Sequence, residues 1–154
     1  MKKIFLIALV ASIGLSATAQ TYKGSGQKTI EEKLNDEYCT GLFKSADGKI
    51  FDMTDVDNAV SYLNILDWLE GRVAGLNIQQ SRNGVSIPFI RGRVAGVYVD
   101  EMPVSLNFLA SISNADIAMI KIIKTPFMGG FNGGGGAIAI YRLNAEEEEE
   151  TPSK

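Results

Sequence analysis

The stretch NILDWLEGRVAGLNIQQSRNGVSIPFIRGRVAGVYVDEMPV, residues 64–104, carries the clearest structural pattern in the chain. Its first part predicts a short helix, because Asn64 is a good N-cap residue and Leu66, Leu69 and Val73 recur at a helical spacing. Gly75 is placed to end that helix as its C′ residue. A helix followed at once by strand-like sequence indicates a small domain that mixes both kinds of element.

Alternating apolar and polar residues after this helix predict three short strands. Residues 76–79 and 85–90 alternate with period 2 on either side of a Ser-Arg-Asn-Gly turn. Pro88 cannot donate a ladder hydrogen bond, so we expect its strand at a sheet edge or with a bulge. Residues 96–99 form the third strand of the stretch.

Sequence on both sides of this stretch completes the predicted fold. Before it, Asp47-Gly48 is a turn pair between apolar residues 42–43 and 50–51, which predicts an N-terminal hairpin. After it come a helical segment near 106–112, a strand over 118–124 and a last strand over 137–142. The expected fold class is therefore α/β (α+β), a mixed sheet of about four strands with two or three short helices plus the hairpin.

The two ends of the chain differ in composition from its middle. Residues 1–19 have two lysines, a short apolar run and an Ala-Thr-Ala ending, the three parts of a secretory signal peptide. The segment 20–37 is polar and predicts a flexible leader, and 144–154, with five consecutive glutamates, predicts a solvated acidic tail. The folded domain should then cover residues 38–143, exported to the periplasm with no membrane-spanning segment in the mature chain.

Composition excludes several classes of function. The 154 residues contain no histidine, which removes Ser-His-Asp and Cys-His catalysis and histidine-ligated metal sites. A net charge of −3 argues against nucleic acid as the main partner. The one cysteine, Cys39, is a free thiol in the core or on the surface, or a bridge between two chains. The sequence therefore predicts neither an enzyme nor a cofactor or metal site.

Candidate binding residues lie around the glycine run 129–136. The run lacks the lysine and the following helix of a phosphate-binding loop, so we interpret it as a tight backbone passage. Phe127 and Phe131 are aromatic residues in that loop and are candidates to contact a ligand or partner. Arg91 and Arg93 are equally consistent with salt bridges and with ligand binding.

Five motifs in a fixed order resemble the plug domain of TonB-dependent outer-membrane receptors, in particular the SusC-like branch. They cover about residues 60–142, most of the expected domain. The motifs are NILDWLEGRVAGLNI (64–78), VSIPFIRG (85–92), GVYVDEMPV (96–104), DIAMIKIIK (116–124) and GGFNGGGGAIAIYR (129–142).

The chain also departs from that family pattern. Glu101 stands where the family has a glycine, and Lys121 where an acidic residue is common. Residues 93–95 replace a longer loop, and Asn132 stands where the family often has an arginine. The resemblance implies that this arginine and the one matching Arg91 pair with glutamates of the barrel, so Arg91 and Asn132 join the candidate partner-binding residues.

The resemblance implies a stand-alone, secreted plug-like domain with a binding or accessory role in outer-membrane nutrient uptake. A receptor barrel of about 22 strands needs roughly 220 residues, more than this sequence offers. The expected partner is an outer-membrane barrel or another protein of the uptake system, and the expected location is the periplasm near the outer membrane. Two alternatives stay open: a soluble periplasmic module that binds a small molecule or glycan, and a truncated receptor remnant.

Overall fold

The computed structural model describes residues 28–54, 56, 58–127 and 133–143 of the chain. The helices of this part are α1 (Ile30–Tyr38), α2 (Gly41–Ser45), α3 (Ile65–Leu69) and α4 (Leu106–Leu109), and short 3-10 turns cover Ala59–Ser61, Asn114–Asp116 and Gly133–Gly135. The strands are β1 (Lys49–Asp52), β2 (Leu76–Gln80), β3 (Ser86–Ile90), β4 (Arg93–Val94), β5 (Gly96–Val99), β6 (Met102–Pro103), β7 (Ile117–Ile123) and β8 (Ala137–Arg142).

The strands form two sheets. A five-stranded sheet has the order β1-β7-β8-β5-β6, and a three-stranded sheet has the order β2-β3-β4. β5 and β8 run parallel, and the other pairs are antiparallel. The predicted mixed α+β class is confirmed, with two sheets in place of one sheet of about four strands.

The central strands of the larger sheet are buried on both faces. All seven residues of β7 are buried, and so are the first five of β8. One face packs against Leu66, Leu69 and Trp68 of α3 and against apolar residues of the smaller sheet. The other face packs against α1 and α2, whose contacts are described below. Continuous apolar strands of this kind are expected where both faces of a sheet are covered.

The predicted N-terminal hairpin is wrong. Leu42 and Phe43 lie in α2, and the residues after Asp47-Gly48 form β1, which pairs with β7 far along the chain. The reason is burial: Phe43 packs in the core and β1 gains a place in a large sheet, whereas an isolated two-stranded hairpin is only marginally stable.

The segment 20–37, predicted to be a flexible leader, contains most of α1. Thr29 caps this helix, since its side chain accepts a hydrogen bond from the Glu32 amide while the Glu32 side chain accepts one from the Thr29 amide. This reciprocal arrangement is a capping box, and the spacing Thr-x-x-Glu was visible in the sequence. The predicted signal peptide and acidic tail lie outside the described residues.

Helix α3 begins as predicted and ends early. Asn64 caps it, with its side-chain oxygen accepting a hydrogen bond from the Leu66 amide at 3.0 Å. The helix ends at Leu69, and Gly71, at φ +78°, follows its C-cap. Gly75, at φ +84°, serves the next turn and not the helix end. Gly71 can end the helix because glycine adopts the left-handed conformation without strain, and it precedes Gly75 in the chain.

The strand with Pro88 is central in its sheet and pairs with both neighbours without a register shift, whereas we predicted an edge position or a bulge. β3 lies between β2 and β4, but β4 has only two residues, opposite Phe89 and Ile90. The Pro88 carbonyl accepts a hydrogen bond from the Ala95 amide at 3.0 Å, just beyond the end of β4. Proline has no amide hydrogen to donate, and Pro88 lies where the β3–β4 pairing ends. A proline is therefore compatible with this central strand.

Candidate functional site

Arg91 occupies a tight turn between β3 and β4. Arg91 has φ +52° and Gly92 φ +78°, the positive values that a two-residue type I′ hairpin turn requires. The Arg91 amide donates a hydrogen bond to the Gly75 carbonyl at 3.0 Å, which holds this strained backbone in place. Its side chain is exposed and makes no ion pair with any residue that the structure describes. Arg91 is therefore available to a carboxylate on another molecule.

The end of the glycine run lies directly against β4. A Cβ on Gly135 would lie 2.4 Å from the Arg93 carbonyl oxygen, and a Cβ on Gly136 would lie 2.2 Å from that of Ile123. Such distances exclude any side chain, which agrees with the tight backbone passage that we expected of this run. The structure thus places the Arg93 backbone beside the glycine segment, and the Arg93 side chain is exposed.

Phe127 is buried and not on the surface. Our prediction that it contacts a ligand or partner is therefore wrong. Its side chain is 3% exposed and lies 4.6 Å from the Phe43 ring and 5.6 Å from the Tyr98 ring, centroid to centroid. The physical reason is that α2 supplies an apolar neighbour, Phe43, which our hairpin prediction had placed elsewhere. Phe131 and Asn132 lie outside the described residues, so their proposed roles remain predictions.

Glu101 links the turn after β5 to the junction between α1 and α2. Asp100 and Glu101 have φ +47° and +67°, so Glu101 adopts a conformation that favours the glycine of the family pattern. Its carboxylate accepts hydrogen bonds from the Thr40 amide at 2.5 Å, from the Thr40 hydroxyl and from the Tyr141 hydroxyl at 3.2 Å. These contacts offset the backbone strain.

Lys121 links the middle of the sheet to the same two helices. Its side chain is 2% exposed, and its Nζ donates to Asn35 Oδ1 at 2.6 Å and to the Phe43 carbonyl at 2.7 Å. Burial lowers the pKa of this ammonium group, because the charged form is poorly solvated there. We call α1 and α2 the helical cap. Two of the departures from the family pattern, Glu101 and Lys121, hold this cap onto the sheet.

Cys39 lies under this helical cap. The thiol is free and 2% exposed, which places it in the core, one of the positions that the sequence left open. Burial raises its pKa, so the reactive thiolate form is disfavoured. The same burial raises the pKa of the neighbouring Tyr141 hydroxyl. Cys39 therefore serves as a probe of whether the helical cap is closed.

We expect Glu101→Ala to destabilise the domain by about 1–3 kcal/mol, because it removes the hydrogen bonds to Thr40 and Tyr141 and leaves the backbone strained. Glu101→Gly also loses the bonds but relieves the strain, so it should be the more stable variant by about 1 kcal/mol. Urea unfolding measures both, and the rate of Cys39 alkylation reports cap opening. Equal stability of the two variants would contradict backbone strain at Glu101, and unchanged alkylation in both would contradict its role in closing the cap.

Within the described residues, no helix is long and apolar enough to cross a membrane. The same part of the chain contains no group of three or more cysteine, aspartate or glutamate side chains arranged to hold a metal ion.

Comparison with known proteins rests on structure. The sequence matches no protein-family profile, and no curated protein matches it. The RagAB peptide importer in its open-open state aligns over 78% of this chain and 13% of its own, with a TM-score of 0.53 and 20% identity. Its closed-closed state aligns over 64% of this chain and 12% of its own, with a TM-score of 0.53 and 21% identity.

A ferric enterobactin receptor gives the same result. The ferric enterobactin receptor PfeA of Pseudomonas aeruginosa, as its G324V mutant, aligns over 72% of this chain and 18% of its own, with a TM-score of 0.53 and 19% identity. This chain thus spans less than a fifth of the length of the receptors that it matches. At these identities the likeness concerns the fold. The domain has a fold found within TonB-dependent receptors, consistent with the plug-like domain that its motifs predict.

Proposed function

We propose that this chain is a stand-alone plug-like domain of the SusC-like type that acts by binding in outer-membrane nutrient uptake. The observation that carries the proposal is the exposed Arg91, held in a strained turn at the end of the plug-like Ile-Arg-Gly motif and without an ion pair among the described residues. An exposed, unpaired guanidinium is suited to bidentate pairing with a carboxylate. The proposed partner is an outer-membrane barrel or another uptake protein that presents glutamate or aspartate side chains.

The helical cap supports a domain that acts without covalent attachment to its partner. Leu34, Tyr38 and Phe43 pack on the sheet face that carries Met119 and Ile123. This apolar face of the sheet is therefore covered by the chain itself, and a partner need not cover it. The proposed location is the periplasm, beside the outer membrane.

Co-purification from envelope extracts tests this proposal. A tagged chain, captured under gentle detergent, should recover an outer-membrane uptake protein that mass spectrometry identifies. Arg91→Gln should reduce that recovery by about tenfold or more, as expected when a charged partner is left unpaired. Arg82→Gln is the matched control, because Arg82 is exposed in the turn at the other end of the β2–β3 hairpin.

Two results would argue against the proposal: recovery of no outer-membrane protein by the unmodified chain, and equal loss with Arg82→Gln. The second result would indicate a general charge effect and no specific role for Arg91. Recovery that is unaffected by Arg91→Gln would remove Arg91 from partner binding, and with it the observation on which the proposal rests.

A further inference from the structure

A cavity of about 360 Å³ opens between the helical cap and the five-stranded sheet, and we call it the cap cavity. Helix α1 forms one wall of this cavity with Glu31 and Asn35, and the loop from α2 to β1 forms the other wall with residues 44–48. Ile50 of β1 and Lys121 of β7, which pair across the sheet, form the floor. The volume lies in the range of sites that hold small molecules.

The floor of the cap cavity carries a positive charge without a counter-ion. An ammonium group has three N–H donors, and Lys121 Nζ uses two of them, toward Asn35 Oδ1 and the Phe43 carbonyl. Both acceptors are neutral, and the ion pairs among the described residues do not include Lys121. Because this side chain is 2% exposed, its third donor and its charge lack the solvation of a surface lysine. A ligand carboxylate that reaches the floor would supply both an acceptor and a counter-charge.

The rim of the cap cavity is acidic. Glu31 and Asp47 are exposed there and make no ion pair with the described residues. Glu32 also lines the cavity, but its carboxylate is engaged in the capping box of α1. Lys44, the other cation of the lining, is paired with Asp36 at 2.8 Å. The unpaired charges of the cavity are therefore positive at the floor and negative at the rim.

This arrangement of charge determines which ligands fit. A simple anion is attracted by the floor but repelled by the two carboxylates of the rim, and a simple cation meets the reverse. A molecule that carries a carboxylate and an ammonium group close together matches both. The Asp47 carboxylate already acts on the floor from a distance: burial lowers the pKa of Lys121, and Asp47 opposes that shift.

We propose that the cap cavity binds a small zwitterion, the chemical class of the free α-amino acids. The ligand carboxylate accepts a hydrogen bond from Lys121 Nζ, and the ligand ammonium group pairs with Glu31 and Asp47. A ligand in this position bridges α1, the loop after α2 and β7, so it holds the helical cap closed. Arg91 does not line this cavity, and binding is measured on the purified protein alone. The present proposal and the proposed function can therefore fail independently.

L-Alanine is the probe that tests this site, with amide NMR spectra of the purified protein as the measurement. Alanine should shift the amides of Asn35, Ser45 and Gly48 in a saturable manner. Propionate and ethylamine each keep one of the two charges of alanine, and each should bind about fivefold or more weakly. The absence of a saturable shift at these amides with alanine would overturn the proposal. Equal binding of propionate or ethylamine would overturn the zwitterion as the ligand class.

Substitutions of the lining residues test the assignment of each charge. Asp47→Asn and Glu31→Gln should each weaken alanine binding by about two- to fivefold, and Lys121→Met should weaken it by about tenfold or more. Glu37→Gln is the matched control, because Glu37 is also an exposed carboxylate of α1 but does not line the cap cavity. An equal loss with Glu37→Gln, or unchanged binding by Lys121→Met, would overturn the proposal.

The alkylation rate of Cys39 tests whether the ligand bridges the cap and the sheet. Cys39 is 2% exposed beneath the helical cap, so a reagent reaches it when the cap opens. A ligand that binds only the closed cap should slow this reaction about tenfold when alanine is present at ten times its Kd. Lys121→Met should show a much smaller response to the same concentration of alanine. An unchanged rate in the unmodified protein saturated with alanine would overturn the bridging position.

Discussion

Gly136→Ala is expected to destabilise the domain by about 3–5 kcal/mol, through backbone strain and overpacking together. Gly136 has φ +107°, a conformation that side-chain-bearing residues rarely adopt. The added Cβ would lie 2.2 Å from the Ile123 carbonyl oxygen, a backbone atom in β7. Neither β7 nor the following β8 can shift easily, because both are central strands of the sheet.

Gly134→Ala is the matched control for this substitution. Gly134 is two residues earlier in the same segment, and a Cβ there would meet no atom within 4 Å. Its effect should stay within about 1 kcal/mol. Chemical unfolding of both variants measures the contrast, and a loss below about 1 kcal/mol for Gly136→Ala would contradict the close approach that we describe.

The strands were predictable where the sequence pattern is local. Residues 76–79, 85–90 and 96–99 match β2, β3 and β5, and the isoleucine-rich segment matches β7. In each case an apolar run or a period of 2 is bounded by glycine or turn residues, and these signals do not depend on distant contacts.

The N-terminal region failed because its structure depends on distant partners. Ile50 pairs with Lys121, which is far along the chain, and Phe43 packs on Tyr98 and Phe127. A local turn signal at Asp47-Gly48 cannot compete with those contacts, and no pattern within residues 42–51 shows them. The capping box at Thr29 was a local signal that could have predicted α1.

The candidate site was predictable in part. The Ile-Arg-Gly motif pointed to Arg91, and the structure places its side chain in the open. Glu101 and Lys121 were noticed as departures from a family pattern, but their contacts with the helical cap could not be deduced, because the cap itself was not predicted. Glu101 and Lys121 are 20 residues apart in the sequence, and only the three-dimensional structure shows that both contact the helical cap.

Lys121→Glu, which installs the kind of residue common at this position in the plug family, is expected to cost about 3–5 kcal/mol here. The carboxylate would face Asn35 Oδ1 and the Phe43 carbonyl, both of which now accept hydrogen bonds from the lysine. Burying three acceptors without a donor is costly at a site where the side chain is 2% exposed, so the helical cap should detach. Faster alkylation of Cys39 would report this opening.

Two further variants separate the charge at this site from its packing. Lys121→Met keeps the apolar stem and removes the donor, so it should cost less, about 1–3 kcal/mol for the unpaired acceptors. It should remain folded even if Lys121→Glu unfolds the whole domain. Lys33→Glu changes an exposed lysine of α1 and should have little effect on unfolding in urea. If Lys121→Glu were as stable as Lys33→Glu, the helical cap would not depend on Lys121, and the family's acidic residue would be tolerated beneath it.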